Sequence, residues 1–172
     1  MKRIAMDMDG VMADLYEQLF DWDERDSGKR KTWEDVAGRK EKETFPMIRH
    51  YLFCEGFFRT MKVMKGCREV VEHLNTKYDL YITSAATEFP LSLPEKQAWL
   101  NEHFPFIGWQ QMVFCGSKQI IHADIMIDDH FKNLDVFKGE MSILFTQPHN
   151  AHADNGKHIR VHTWEEIAKL LL

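Results

Sequence analysis

The chain is poor in the residues that cross-link or break a polypeptide: its 172 positions hold three cysteines, five prolines and nine glycines. Cys54, Cys67 and Cys115 are odd in number and lack paired-ligand spacing. That excludes a disulfide framework and a cysteine zinc site, and predicts free thiols in a reducing compartment. There is no basic block, and 22 basic against 27 acidic residues leave a net charge of −5. The electrostatic footprint of a nucleic-acid polymer is therefore missing. No apolar run approaches the roughly 20 residues that cross a bilayer, so no membrane association is expected. The first residues, MKRIAMDMDG, carry two acids within their apolar run, unlike a signal peptide. A cytoplasmic protein is expected. Internal repeats and low-complexity tracts are absent as well.

What is present is an ordinary globular composition, 44% hydrophobic and 28% charged, at a length that suits one core domain with a small insertion. Short apolar runs alternate with helical ones, the pattern of a parallel sheet covered on both faces. Arg3–Met8, Asp79–Thr83, Gln111–Cys115, Asp124–Ile127 and Ser142–Phe145 read as about five strands of a Rossmann-like α/β fold. Helices are expected at Cys67–Asn75, at Pro94–His103 with proline in the first turn, at Phe131–Phe137, and at Trp164–Leu171 behind a Thr163–Glu166 capping box. Residues 15–62 break the alternation. They hold nine aromatics, and their ten acids balance ten bases. This stretch is expected to be a small helical cap inserted after the first strand, with residues 1–14 and 63–172 forming the core domain.

The chemistry concentrates at the expected strand ends, where open α/β sheets bind ligands. Asp7-Met-Asp9-Gly-Val-Met-Ala-Asp14 follows the first strand, and Gly10 permits a sharp departure of the chain. Thr83-Ser84 ends the second strand, Lys118 lies past the third, and Asp128-Asp129 ends the fourth. Clustered acids repel unless a cation is bound. A carboxylate nucleophile, further acids, a hydroxyl and an ammonium are the parts of phosphoryl transfer with a hard divalent cation.

These motifs, in this order, resemble the haloacid dehalogenase superfamily. The longer strings around them resemble its 5'(3')-deoxyribonucleotidases: Asp7–Asp14, Phe57-Phe through Met64-Lys-Gly66, Ile82-Thr-Ser84, Pro94-Glu-Lys96-Gln-Ala-Trp99 and Ala123–Asp129. The resemblance spans most of Lys2–Asp129 and is weaker in the cap. It implies that Asp7 attacks phosphorus and that Asp9 serves as acid, then base. Mg²⁺ would be held by Asp7, the backbone carbonyl of Asp9, and Asp128, with Asp129 in support. Thr83, Ser84, Lys118 and Lys96 would hold phosphate. An acid at Asp9 separates hydrolysis from dehalogenation. The implied substrate is a small phosphomonoester, a nucleoside monophosphate above all.

One departure is His130, where the mammalian type has an arginine; a histidine lacks the five-donor fork. The cap also looks shorter. For a base-stacking wall, Phe57 and Phe58 are the first choices and Trp33 and Phe45 the next, although each can equally pack the cap. A sugar phosphate or other small organic phosphate is the alternative substrate. A receiver-like phosphoacceptor is the non-enzymatic alternative, and its motif order differs. A homodimer is the one assembly left open. His149, His152, His158 and His162 fall around the polar segment Gln147–Lys157 and are expected to be solvated loop residues.

Overall fold

The computed structural model describes residues 1–172. Six strands form one parallel sheet in the order β3-β2-β1-β4-β5-β6. They are β1 (Arg3–Asp7), β2 (Asp79–Ser84), β3 (Met112–Phe114), β4 (Ile125–Asp128), β5 (Met141–Phe145) and β6 (Ile159–Val161). Side chains alternate between faces of the sheet. Ile4 and Met6 of β1 therefore join the larger of two apolar clusters, whereas Ala5 joins the smaller one with Met126, Leu134 and Leu144. The strand order reverses at β1, between β2 and β4, and a crevice at such a switch point is where this fold binds ligands.

About five strands were expected and six are found. The sixth, Ile159-Arg-Val, is a short edge strand whose pairing on β5 shows only in three dimensions. Arg160 folds back from it onto Thr146 and Asn150 at 3.1 Å.

The helices are α1 (Leu15–Ser27), α2 (Trp33–Val36), α3 (Glu41–Thr44), α4 (Ile48–Tyr51), α5 (Cys67–Lys77), α6 (Ser92–His103), α7 (Phe131–Leu134) and α8 (Trp164–Leu171). Asp14 caps α1, accepting from the Glu17 N–H at 3.0 Å. Thr163 caps α8 by accepting from the Glu166 N–H, and α8 buries Trp164, Ile167 and Leu171 along one stripe. Helix α6 begins two residues ahead of Pro94, which still lies in the first turn, where a missing N–H is harmless. No helix is long and apolar enough to cross a membrane.

Residues 15–62 hold α1 to α4 and no strand. The chain leaves and re-enters side by side: Asp14 N–H donates to Lys62 O and Met64 N–H to Met12 O, both at 2.8 Å. The aromatics between these points build no separate core. Phe45, Tyr51, Phe57 and Phe58 belong with Ile4 and Ile82 to one cluster of 32 buried residues. Burial of each such ring contributes about 1.5–3 kcal/mol.

Candidate active site

Strand β1 ends at Asp7 and β4 at Asp128, so two neighbouring strands deliver their last side chains to one crevice. The Lys118 ammonium sits between them, 2.5 Å from Asp7 Oδ1 and 2.7 Å from Asp128 Oδ2. All three side chains are buried. Asp128 Oδ1 also accepts from the His130 N–H at 2.9 Å and from Asn133 Nδ2 at 3.0 Å.

Asp129 differs. Its carboxylate is buried, yet neither oxygen has a hydrogen-bond partner. Carboxylate oxygens of Asp7, Asp128 and Asp129 lie within 4.8 Å of one another. Unpartnered buried oxygens among converging carboxylates fit a hard divalent cation, which takes oxygen ligands. Asp129, expected among the metal-holding residues in a supporting place, stands in the cluster itself. The chain makes room for it at Gly10, whose φ is +77° and where a Cβ would lie 2.3 Å from Asp129 Oδ2.

Three carboxylates beside one ammonium strain the charge balance. Burial raises Asp7 well above its usual value despite Lys118, with Asp128 and Asp129 adding repulsion. Burial likewise pushes Asp129 up to about 7. Burial also opposes ionisation of Asp128, but Lys118 and the Asn133 and His130 hydrogen bonds outweigh it and hold that acid below its usual value. Lys118 stays charged: burial would lower it, and the two acids raise it further.

A second lysine serves Asp9. Lys96 Nζ donates to Asp9 Oδ2 at 2.5 Å and to Ser84 Oγ at 2.8 Å, and rests 4.6 Å from the Phe58 ring centroid. Asp9 Oδ1 has no partner. Asp7, Asp9, Ser84, Lys118 and His130 line a cleft of about 680 Å³. Glu41, Ile48, Leu52 and Phe89 line it as well.

Some expected residues are not brought together. Thr83 does not reach the cleft, because its hydroxyl donates to Met6 O at 3.2 Å across the sheet. None of the four proposed base-stacking aromatics lines the cleft. Phe57 is packed on Trp22 and Phe58, and Phe45 on Tyr16 and Phe20. Phe58 lies behind Lys96. Trp33 lines a different hollow, of about 730 Å³, beside Gly66 and Trp164.

The loop histidines also depart from expectation. His158 is buried, 2.7 Å from Ser142 Oγ and 2.9 Å from Asp135 Oδ1. His149 is 9% exposed and donates through Nε2 to Asp129 O at 2.9 Å, with Nδ1 3.1 Å from Glu41 Oε1. Burial would lower His149, but the Glu41 and Asp129 acids raise it to about 9. Glu41 ends at about 2, because its bridge to His149 outweighs its own burial. His149, His130 and Glu41 form a second cluster of potential metal ligands, but both His149 nitrogens already have partners.

The model of the family described as "5' nucleotidase, deoxy (Pyrimidine), cytosolic type C protein" matches residues 1–172. The chain belongs to this nucleotidase family. A 5'(3')-deoxyribonucleotidase of Bacillus subtilis is 42% identical over 183 residues, covering 99% of both chains, as is one of Bacillus phage SPbeta. Among solved structures, a haloacid dehalogenase-like family hydrolase from Streptococcus pneumoniae aligns with TM-score 0.64 at 14% identity, covering 100% of this chain and 99% of that one. The HAD-type protein YfnB of Bacillus subtilis, bound to magnesium, aligns with TM-score 0.62 at 13% identity, covering 99% and 98%. At such identities these two likenesses show the fold.

Proposed function

We propose that the protein is a magnesium-dependent 5'(3')-deoxyribonucleotidase that hydrolyses deoxynucleoside monophosphates through an aspartyl-phosphate on Asp7. The observation that carries this reading is the pair of unpartnered Asp129 oxygens beside Asp7 and Asp128, with Lys118 bridging the latter two. The names of the Bacillus relatives support the substrate class.

Asp7, Asp128 and Asp129, with the Asp9 backbone carbonyl, would hold Mg²⁺; when bound it neutralises the acids and screens the phosphate dianion from the Asp7 carboxylate. Lys118 keeps Asp7 in place and offers charge to the phosphate oxygens. An Asp7 oxygen bonds to phosphorus as the ester P–O bond breaks. Asp9, through the side facing the cleft, gives its proton to the leaving oxygen. Asp9 then takes a proton from water as that water attacks phosphorus and the Asp7–phosphorus bond breaks, releasing inorganic phosphate. Ser84 lines the cleft and would hold a phosphate oxygen; Lys96 is buried behind it, hydrogen-bonded to Asp9 and Ser84, and would lend its charge to the phosphate while holding Asp9. Residues 15–62 act as the cap, and Leu52, Ile48 and Phe89 form the apolar wall for the nucleoside.

The test is phosphate release from a panel of nucleotides and sugar phosphates with and without Mg²⁺. The reading predicts Mg²⁺-dependent turnover favouring deoxynucleoside monophosphates, lost in Asp7→Asn. Preference for a sugar phosphate would overturn the substrate, and full activity of Asp7→Asn would overturn the nucleophile.

A further inference from the structure

We propose that His149 is a positioning residue that couples the segment covering the cleft to the metal-holding acids, so that occupancy of the cleft and metal affinity reinforce each other. The inference rests on the reading of Asp129 as a metal-holding acid. The Gln147-Pro-His-Asn loop follows β5 at the carboxyl edge of the sheet and makes hydrogen bonds in three directions. Gln147 Nε2 donates to Gly10 O at 2.5 Å, gripping the turn after Asp9. Asn150 Nδ2 donates to Asp129 O at 2.8 Å, beside the His149 donation to the same oxygen. Pro148 O accepts the Gly38 N–H at 2.7 Å, which ties the loop to the 15–62 segment.

His149 completes the connection. One imidazole edge holds the Asp129 main chain, and the other faces Glu41 at 3.1 Å and the Tyr16 hydroxyl at 3.2 Å. His130 stacks on one face, at 4.3 Å between centroids and 15°, and the Tyr16 ring lies nearly parallel at 6.1 Å with its hydroxyl at the Nδ1 edge. The ring is thus held on two edges and one face and can act as a strut. A shift of Glu41 is passed to the peptide that carries the Asp129 carboxylate. Glu41 itself lines the cleft between Lys40 and Lys42, so an anionic ligand engaging those lysines acts on the same strut. Groups that hold a ligand residue in place typically change metal affinity or activity about 10–100-fold when removed. Coupling of this kind is reciprocal.

The test is Mg²⁺ titration of the metal-free full chain by calorimetry, without turnover, for the wild type, His149→Ala, His149→Gln and Glu41→Ala. A further titration contains a deoxynucleoside phosphonate that cannot be hydrolysed. The expected results are a loss of about tenfold in affinity for His149→Ala, recovery of much of it in His149→Gln, and a loss in Glu41→Ala although Glu41 holds no metal. The phosphonate should tighten Mg²⁺ binding in the wild type and do so less in Glu41→Ala. Wild-type affinity in both alanine variants would overturn the coupling alone. Failure of the wild type itself to bind Mg²⁺ would overturn the metal reading and the coupling with it.

Discussion

Replacing Gly10 with alanine adds one methyl group at the point where the chain passes the acid cluster. Two costs follow. The backbone φ of +77° is left-handed, a conformation that costs an L-residue about 1–2 kcal/mol. The new Cβ would also lie 2.3 Å from Asp129 Oδ2 and 3.0 Å from its Cγ. Asp129 is 1% exposed, so its carboxylate can move only by displacing its buried neighbours or entering the acid cluster. Overpacking of this kind costs about 1–3 kcal/mol more, so urea melts of the metal-free protein should show a loss of about 2–5 kcal/mol. Catalysis should suffer further, because a displacement on the order of 1 Å in a catalytic group can cost about 100-fold. Gly28→Ala is the internal control. Its φ is +72°, but nothing lies within 4 Å of the added Cβ. It should lose only the backbone cost of about 1–2 kcal/mol and keep full activity. Equal stability losses in the two variants, with Gly10→Ala retaining wild-type turnover, would refute the close approach and its link to function.

Lys118→Met should lower kcat about 100- to 1000-fold, as loss of a preorganised charge does, and an unchanged kcat in phosphate-release assays would remove Lys118 from the mechanism. Mg²⁺ should bind more tightly as pH rises through about 7, because Asp129 in the metal-free protein holds its proton up to that range and the metal must displace it. Calorimetry in buffers of different ionisation enthalpy should detect proton release below that pH; none would contradict the buried cluster. Phe89→Ala should raise KM for nucleotides by roughly 5- to 150-fold, from stacking worth about 1–3 kcal/mol, and leave hydrolysis of a small aryl phosphate little changed. An unaltered nucleotide KM would move the nucleoside wall elsewhere.

The core of the candidate site was legible because its signals are local. Each acid or lysine follows a short apolar run, and parallel strands bring such ends to one edge. Asp7, Lys118 and Asp128 meet for that reason. The proposed nucleoside wall was not legible. Aromatic character at Phe45, Phe57 and Phe58 reports burial, but gives no direction, and these rings face their neighbours. The side chains that face the cleft, Leu52, Ile48 and Phe89, carry no distinguishing pattern in sequence. Thr83 and Ser84 are adjacent on β2 and so face opposite ways, which the alternation of a strand could have separated. The role of His149 was hidden by the polarity of its surroundings. The available signal was position: Gln147-Pro-His-Asn begins two residues after β5 ends at Phe145, on the same edge as the other motifs. Strand β6 escaped notice because three residues at a sheet edge do not establish a period.

The central claim is that Asp7 bonds to phosphorus. Acid quenching during turnover of a phosphate-labelled deoxynucleotide, followed by peptide mass spectrometry, tests it most directly. A phosphoryl group is expected on the peptide containing Asp7, formed only with Mg²⁺ and absent from Asp7→Asn. Rapid phosphate release with no labelled protein under any quench, or label on another residue, would contradict it.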